Sequence, residues 1–317
     1  MPRGGGTRIA VEAVFARKLL RSWRRMSSDC TCVTSWIFRR RPVSGPRFRY
    51  GPSPAIPLSF LSPVEPLMNR LLITALLAAL FTAWPAAAQK PTSELHFARL
   101  EYDTINRCPN LVGSFRQAWT TDQYEAEVHF TRIVSRLTRI GTGETRRDYR
   151  SFTLLDDELF DYPWLYAVEV GHWYLGNREA ARLREYLLRG GFLMVDDFHG
   201  PCEWEIFMES MRRVFPDRNV VDIPADHEIF HVLYNLDHFT QIWGIVLLGR
   251  GVTYENGGVD PHWRGIYDEE GRLMVAINHN MDLGDAWEHA DDASYPTDLT
   301  ALASRFAVNY VIYAMTH

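Results

Sequence analysis

Gly190-Gly191-Phe192-Leu193-Met194-Val195-Asp196-Asp197-Phe198-His199-Gly200 decides how the chain is read. Two glycines stop a helix, four apolar residues follow without a polar break, and two acids and a histidine close the run. An unbroken apolar run of this length suits a strand buried on both faces, as in parallel sheets covered by helices. Upstream, Asn177 is placed to cap a helix in which Ala180, Leu183 and Leu187 share a face. Earlier still, Trp164–Val170 is nearly all apolar and stops at Gly171-His172. Downstream, Trp204, Phe207, Met211 and Val214 line one side of a helix that Pro216 ends. Strand, helix, strand, helix in this order predicts an α/β fold. It is a doubly wound, mostly parallel open sheet with helices on both faces, flavodoxin-like in style.

The remaining elements follow from the same periods. Leu95–Tyr102 reads as a first strand. Asp122 is expected to open a helix, with Glu125 completing a capping box and Val128, Val134 and Leu137 on its apolar side. Phe152–Leu155 is a short strand running into Asp156-Asp157. Val220–Ile223, Ile245–Leu248 and Leu273–Ile277 are later strand candidates. A last helix starts after Pro296, with Thr297 as its cap, and buries Leu299, Leu302, Phe306, Tyr310 and Tyr313.

The composition supports a globular chain: 317 residues, 46% hydrophobic, 23% charged, net charge −5. It excludes collagen, a coiled coil and a multi-span membrane protein. The average hides two unlike parts. Residues 1–67 hold 12 Lys+Arg against 3 Asp+Glu and none of the 11 histidines, and residues 89–317 carry −15. Residues 1–67 sustain no period that could bury a face, and are expected to be disordered or spurious upstream sequence. Met68-Asn69-Arg70, an apolar run from Leu71 to Trp84, and Ala86-Ala87-Ala88 follow the order of a secretory signal. The expected organisation is therefore a signal peptide over 68–88 and one α/β domain over 89–317, periplasmic or secreted. The apolar run is shorter than the roughly 20 residues a span needs, so no membrane span is expected in the mature chain. Its acidic balance argues against a nucleic-acid partner. Cys108 and Cys202 each follow a predicted strand and are the candidate disulfide.

In open parallel sheets ligands bind beyond the carboxyl ends of the strands. Those ends carry Asp103, Asp156-Asp157, Gly171-His172 and Asp196-Asp197-Phe198-His199. Turns and helix caps also use Asp, for backbone reasons alone. His172, Asp196, Asp197, His199 and His227 are expected to converge on one pocket. A divalent metal is a candidate cofactor, held by Asp196, His199 and His227. His227-Glu228-Ile229-Phe230-His231 satisfies the zinc-protease spacing literally, but its surroundings read as a loop with a short turn. Asn278–Glu288 reads as a polar loop whose amides, acids and Trp287 suit a polyol, with Asp282 a ligand-binding candidate. No phosphate-binding Gly-rich loop ending in Gly-Lys-Ser/Thr and no Gly-x-Ser-x-Gly elbow is present, which argues against P-loop and serine-hydrolase chemistry.

Several blocks together carry a resemblance. They are Leu159-Phe160-Asp161-Tyr162-Pro163-Trp164-Leu165-Tyr166, then Leu183-Arg184-Glu185-Tyr186-Leu187 through Gly190-Gly191-Phe192-Leu193 and Asp196-Asp197. Val214-Phe215-Pro216-Asp217, Asp226-His227-x-Ile229-Phe230-His231 and Asn309-Tyr310-Val311-x-Tyr313-Ala314-x-Thr316-His317 complete the set. Over about residues 95–317 the chain resembles the bacterial domain-of-unknown-function 4159 family. The resemblance implies a fold of the class I glutamine-amidotransferase-like type and an exported or membrane-linked setting, and it assigns no catalytic residue. Amidotransferases of this type place a Cys nucleophile after a central strand. Here the corresponding strand end holds Gly171-His172-Trp173 and no cysteine. The expected function is therefore binding of a polyol or cell-envelope component without amidase activity. The alternatives are a metal-dependent hydrolase using the Asp/His cluster, and an envelope module docking a protein partner.

Overall fold

The long apolar runs become the inner strands of a seven-stranded sheet. A computed structural model describes residues 93–109, 114–143 and 148–317. The expectations for residues 1–67 and 68–88 lie outside those residues. The strands are β1 (Ala98–Glu101), β2 (Asp103–Thr104), β3 (Arg150–Thr153), β4 (Trp164–Val168), β5 (Trp173–Tyr174), β6 (Phe192–Asp196), β7 (Val221–Asp222), β8 (His262–Tyr267) and β9 (Leu273–His279). The α-helices are α1 (Glu125–Leu137), α2 (Asn177–Leu188), α3 (Gly200–Val214), α4 (Leu283–Glu288) and α5 (Thr297–Thr316). The sheet runs β3-β1-β4-β6-β9-β8-β7. Its first five members are parallel. β8 and β7 extend it as antiparallel neighbours, and β2 and β5 form a separate small ribbon.

The five parallel strands, taken in chain order, lie 2-1-3-4-5 across the sheet, the flavodoxin-type arrangement. The order reverses between β1 and β4, so the crevice beyond those two strand ends is where such sheets bind ligands. Alternation along β4 feeds both faces. Trp164, Tyr166 and Val168 enter a core with α1, α4 and α5, whereas Leu165 and Ala167 enter one with α2 and α3. The fold is thus doubly wound α/β. Among the described residues no helix is long and apolar enough to cross a membrane.

Several local expectations change. Ile245–Leu247 is a short 3-10 turn rather than a strand. β8 supplies the extra strand instead; it alternates between buried Trp263 and half-buried Arg264, as an antiparallel neighbour of β9 does. The expected polar loop after β9 contains α4, opened by Asp282, whose carboxylate accepts from the Asp285 N–H. Helix α1 turns Ala126, Phe130 and Val134 inward, and Leu137 is exposed. Asp122 makes no side-chain cap there, and the caps of α2 and α5 are Gly176 and Pro296 rather than Asn177 and Thr297.

Cys108 and Cys202 are joined by a disulfide, with Cα atoms 5.9 Å apart across 94 residues of sequence. It ties the segment after β2 to the first turn of α3. Cys202→Ser is expected to cost about 2–4 kcal/mol, because the cross-link removes conformations from the unfolded chain. Denaturant unfolding with and without reductant checks this: reduced wild type should match the variant. Equal stability of all three samples would leave the bond without a stabilising role.

Candidate functional site

Eight carboxylates gather at the carboxyl edge around the switch point. Glu169 follows β4 directly, Asp196 ends β6 and Asp197 follows it. Asp282 caps α4 and Asp285 lies within it, Glu203 belongs to α3, Asp122 precedes α1, and Glu255 comes from the loop before β8. All are buried, and none is more than 9% exposed. Asp122, Glu169, Asp197, Asn256 and Asn280 have φ between 46° and 64°. Those five are the non-glycine residues with positive φ among the described residues, and all lie at this edge or in the loops beside it. Backbone held in the left-handed region costs energy and collects at sites whose side chains must point in one direction.

The hydrogen bonds show how the sequence holds each acid. Asp196 Oδ2 accepts from the Leu283 N–H at 2.8 Å, the Gly284 N–H at 2.9 Å and the Tyr166 hydroxyl at 3.2 Å. Its Oδ1 is buried without a partner. Asp197 Oδ1 and His199 Nε2 share a hydrogen bond at 3.1 Å, and His199 Nδ1 is buried without a partner. Glu203 accepts from the His199 N–H at 2.6 Å and the Asn256 amide at 2.7 Å, and lies 3.7 Å from His172 Nε2. Asp285 Oδ2 accepts from the Ile245 N–H at 2.6 Å. Two glycines make room. A Cβ on Gly284 would collide with Asp122 Oδ2, and one on Gly244 would stand 2.6 Å from Asp282 Oδ2.

Burial and mutual repulsion reshape the acidities. Burial first, then neighbouring carboxylates, push the carboxyls of Asp122, Glu169, Asp197 and Asp282 well above the ordinary range. Burial raises Asp196 to about 7 against the pull of its three donors. Glu255 also rises, chiefly by burial. Arg99 is the guanidinium that acts on Asp122, and it is itself paired with Glu127.

Of the residues expected to converge, His172, Asp196, Asp197 and His199 stand at this edge, and the separate candidate Asp282 joins them. His227 does not. Its ring lies 5.6 Å from that of Tyr267 and 5.8 Å from that of Tyr313. Tyr267 pairs with Leu273 at the start of β9, so His227 occupies the opposite, amino edge of the parallel sheet. The expected metal set Asp196, His199 and His227 is therefore corrected. His227 Nδ1 accepts from the Ile229 N–H, capping a 3-10 turn, and His231 reaches the Ala225 carbonyl, so the zinc-protease spacing is spent on local turns. Asp156 accepts from the Thr153 N–H and hydroxyl, and exposed Asp157 pairs with Arg182, which are turn and surface roles.

Sequence reasoning missed Asp122, Glu169, Glu203 and Glu255. Glu169 had a signal: it is the one acid inside the apolar run Trp164–Val170. Glu203 sits directly before Trp204, the first residue of a helix face whose period shows only its apolar members. Glu255 lies in a loop that has no period to read.

The flavodoxin-type strand order and the buried carboxylates at its switch point define a doubly wound α/β protein with an acidic carboxyl edge. The chain belongs to the family described as domain of unknown function (DUF4159), whose sequence pattern matches residues 96–315. No curated protein matches the chain.

Proposed function

We propose that this domain acts outside the cytoplasm and binds a hydroxylated cell-envelope component at its acidic edge, without amidase activity. The observation that carries the reading is the convergence of buried acids at the switch point, with Asp122 Oδ2 and Asp196 Oδ1 left without hydrogen-bond partners. Buried acceptors of this kind are costly until a ligand satisfies them, and sugar hydroxyls are donors of the required type. The Cys108–Cys202 disulfide supports an oxidising compartment. The segment after β4, Glu169-Val170-Gly171-His172-Trp173, contains no cysteine, which supports a reading without thiol amidase chemistry.

Calorimetric titration of the purified protein with soluble cell-wall glycan fragments and simple polyols tests the reading. One ligand class should bind, and Asp197→Ala should weaken it about tenfold or more, the loss expected when a hydrogen bond to a charged group is removed. His227→Ala, on the opposite edge, should leave binding unchanged. Absence of binding across the series, or equal losses in both variants, would overturn it. A metal-dependent hydrolase at the same edge is the second reading, favoured by Asp196, whose carboxyl at about 7 is matched to proton transfer near neutrality. Mass spectrometry of the titrated fragments, searching for cleaved products, separates it from binding alone.

A further inference from the structure

We infer that Asp122, Asp197 and Asp282 form a binding site for one hard divalent cation of the Ca2+ type. One carboxylate oxygen from each lies within 4.8 Å of the other two. Ca2+ sits about 2.3–2.6 Å from its oxygens, so two ligands on opposite sides of the ion stand about 4.6–5.2 Å apart. The three oxygens therefore already lie inside the span of a single coordination sphere. Mg2+, at about 2.0–2.1 Å, demands near-ideal octahedral geometry and usually keeps several waters, so a site built from several protein carboxylates suits it less well than Ca2+. The donors are all carboxylate oxygens with no thiolate, which is the donor set of Ca2+ rather than of Zn2+.

An acidic cluster alone could be satisfied by protons or by its own hydrogen bonds. Here Asp122 is 8% exposed, and its Oδ2 is buried without a partner. That oxygen lies over Gly284, where any side chain would displace it. Asp282 divides its two oxygens: Oδ1 accepts from the Asp285 N–H at 2.8 Å, and Oδ2 lies against the bare Cα of Gly244. Asp197 is oriented by His199 at 3.1 Å. Ligating carboxylates are commonly fixed by such outer hydrogen bonds, which set their direction before the ion arrives. The charges facing the three come from every side. Asp196, Glu203, Glu255 and Asp285 act on Asp197, Asp285 and Glu288 act on Asp122, Asp196 and Asp285 act on Asp282, and Arg99 is the cation acting on Asp122. Arg99 is paired with Glu127, so three buried carboxylates among further acids have little positive charge to offset their burial, and a bound divalent ion supplies it.

The inference deepens the proposed ligand reading and rests on it for the ligand's route: hydroxyls of an envelope glycan would reach the acids through the ion. The test separates the two. Protein stripped with EGTA is titrated with CaCl2 and, separately, with MgCl2, by calorimetry and by thermal melting, with Tb3+ luminescence as a direct probe of the site. Wild type should show one Ca2+ site, weaker Mg2+ binding and a Ca2+-dependent rise in Tm. Asp282→Asn and Asp197→Asn should each weaken Ca2+ about tenfold or more. The same variants, stripped of metal, should melt no lower than stripped wild type, because each removes a buried repulsion; lost binding then cannot come from lost folding. Gly244→Ala keeps every carboxylate but crowds Asp282 Oδ2, and should also weaken Ca2+. Exposed Asp237→Asn serves as the control. Folded wild type without any Ca2+ response, or Ca2+ affinity unchanged in all three site variants, would overturn the cation site. Glycan binding in EGTA with no Ca2+ response removes the ion and keeps the ligand. A Ca2+ response with no glycan binding does the reverse.

Discussion

Arg99→Met is expected to cost about 3–5 kcal/mol of folding stability, the usual range for breaking a buried ion pair from one side. Arg99 is 1% exposed, and its Nε donates to Glu127 Oε1 at 2.5 Å. Its Nη1 donates to the carbonyls of Thr121 at 2.9 Å and Trp119 at 3.2 Å. The guanidinium also stands 5.2 Å from the ring centroid of Tyr166 and 5.7 Å from that of Phe97. Methionine fills similar volume but leaves Glu127 as an uncompensated buried charge. It also frees the segment that leads into Asp122 at the acidic edge. Leaving a charge unpaired is the dominant penalty, so Arg99→Met combined with Glu127→Leu should recover most of the loss. Urea unfolding of the two single variants and the double variant measures this. A single-variant loss below about 1 kcal/mol would show that the pair contributes little.

The second large effect concerns Asp196 and its sign. Its carboxyl is raised from 3.8 in the unfolded chain to about 7 in the fold, chiefly by burial. A raised carboxyl favours the neutral form in the folded state. Its stabilising contribution is complete below about pH 4 and is lost as pH rises toward 7. At about 1.36 kcal/mol per unit, the swing is on the order of 4 kcal/mol. That direction is the reverse of ordinary acid denaturation. Buried His279 opposes it, since burial lowers its imidazole to about 3 and stability falls as pH drops below 6.5. The readout is therefore a difference. In metal-free buffer, stability at pH 4 minus stability at pH 7 should be larger in wild type than in Asp196→Asn by a few kcal/mol. The amide oxygen of Asn can still accept from the Leu283 and Gly284 N–H groups, so folding should survive. Equal pH differences in the two proteins would show that Asp196 is ionised in the fold like an exposed acid.

The two effects share one cause. Carboxylates are brought together at the carboxyl edge where Arg99 is the nearby guanidinium, and it is largely committed to Glu127. Stability is spent on placing acids against one another, which fits a site that a cation or a dense set of hydroxyl donors completes.

Local sequence determined the layers of this protein. The unbroken runs of β4 and β6 could only be strands buried on both faces, because each successive side chain points to the opposite side and both sides are apolar. The 3.6-residue spacing of Ala180, Leu183 and Leu187, and of Phe207, Met211 and Val214, set which helix faces pack inward. The polar strand ends at His172 and Asp196–His199 mark the carboxyl edge of the sheet. Tertiary structure decided which acids meet there. Strand order is long-range pairing that no local period encodes, and only that order sets β1 beside β4. Asp122 reads as a helix cap from its neighbours alone, yet it takes a left-handed backbone beside Thr121, whose carbonyl is held by Arg99 22 residues away. His227 read as a ligand by spacing, yet its turn packs on Tyr267 and Tyr313, at the far edge. Spacing along a chain fixes side-chain direction only inside a regular element, and outside one the direction comes from what the rest of the fold leaves to pack against.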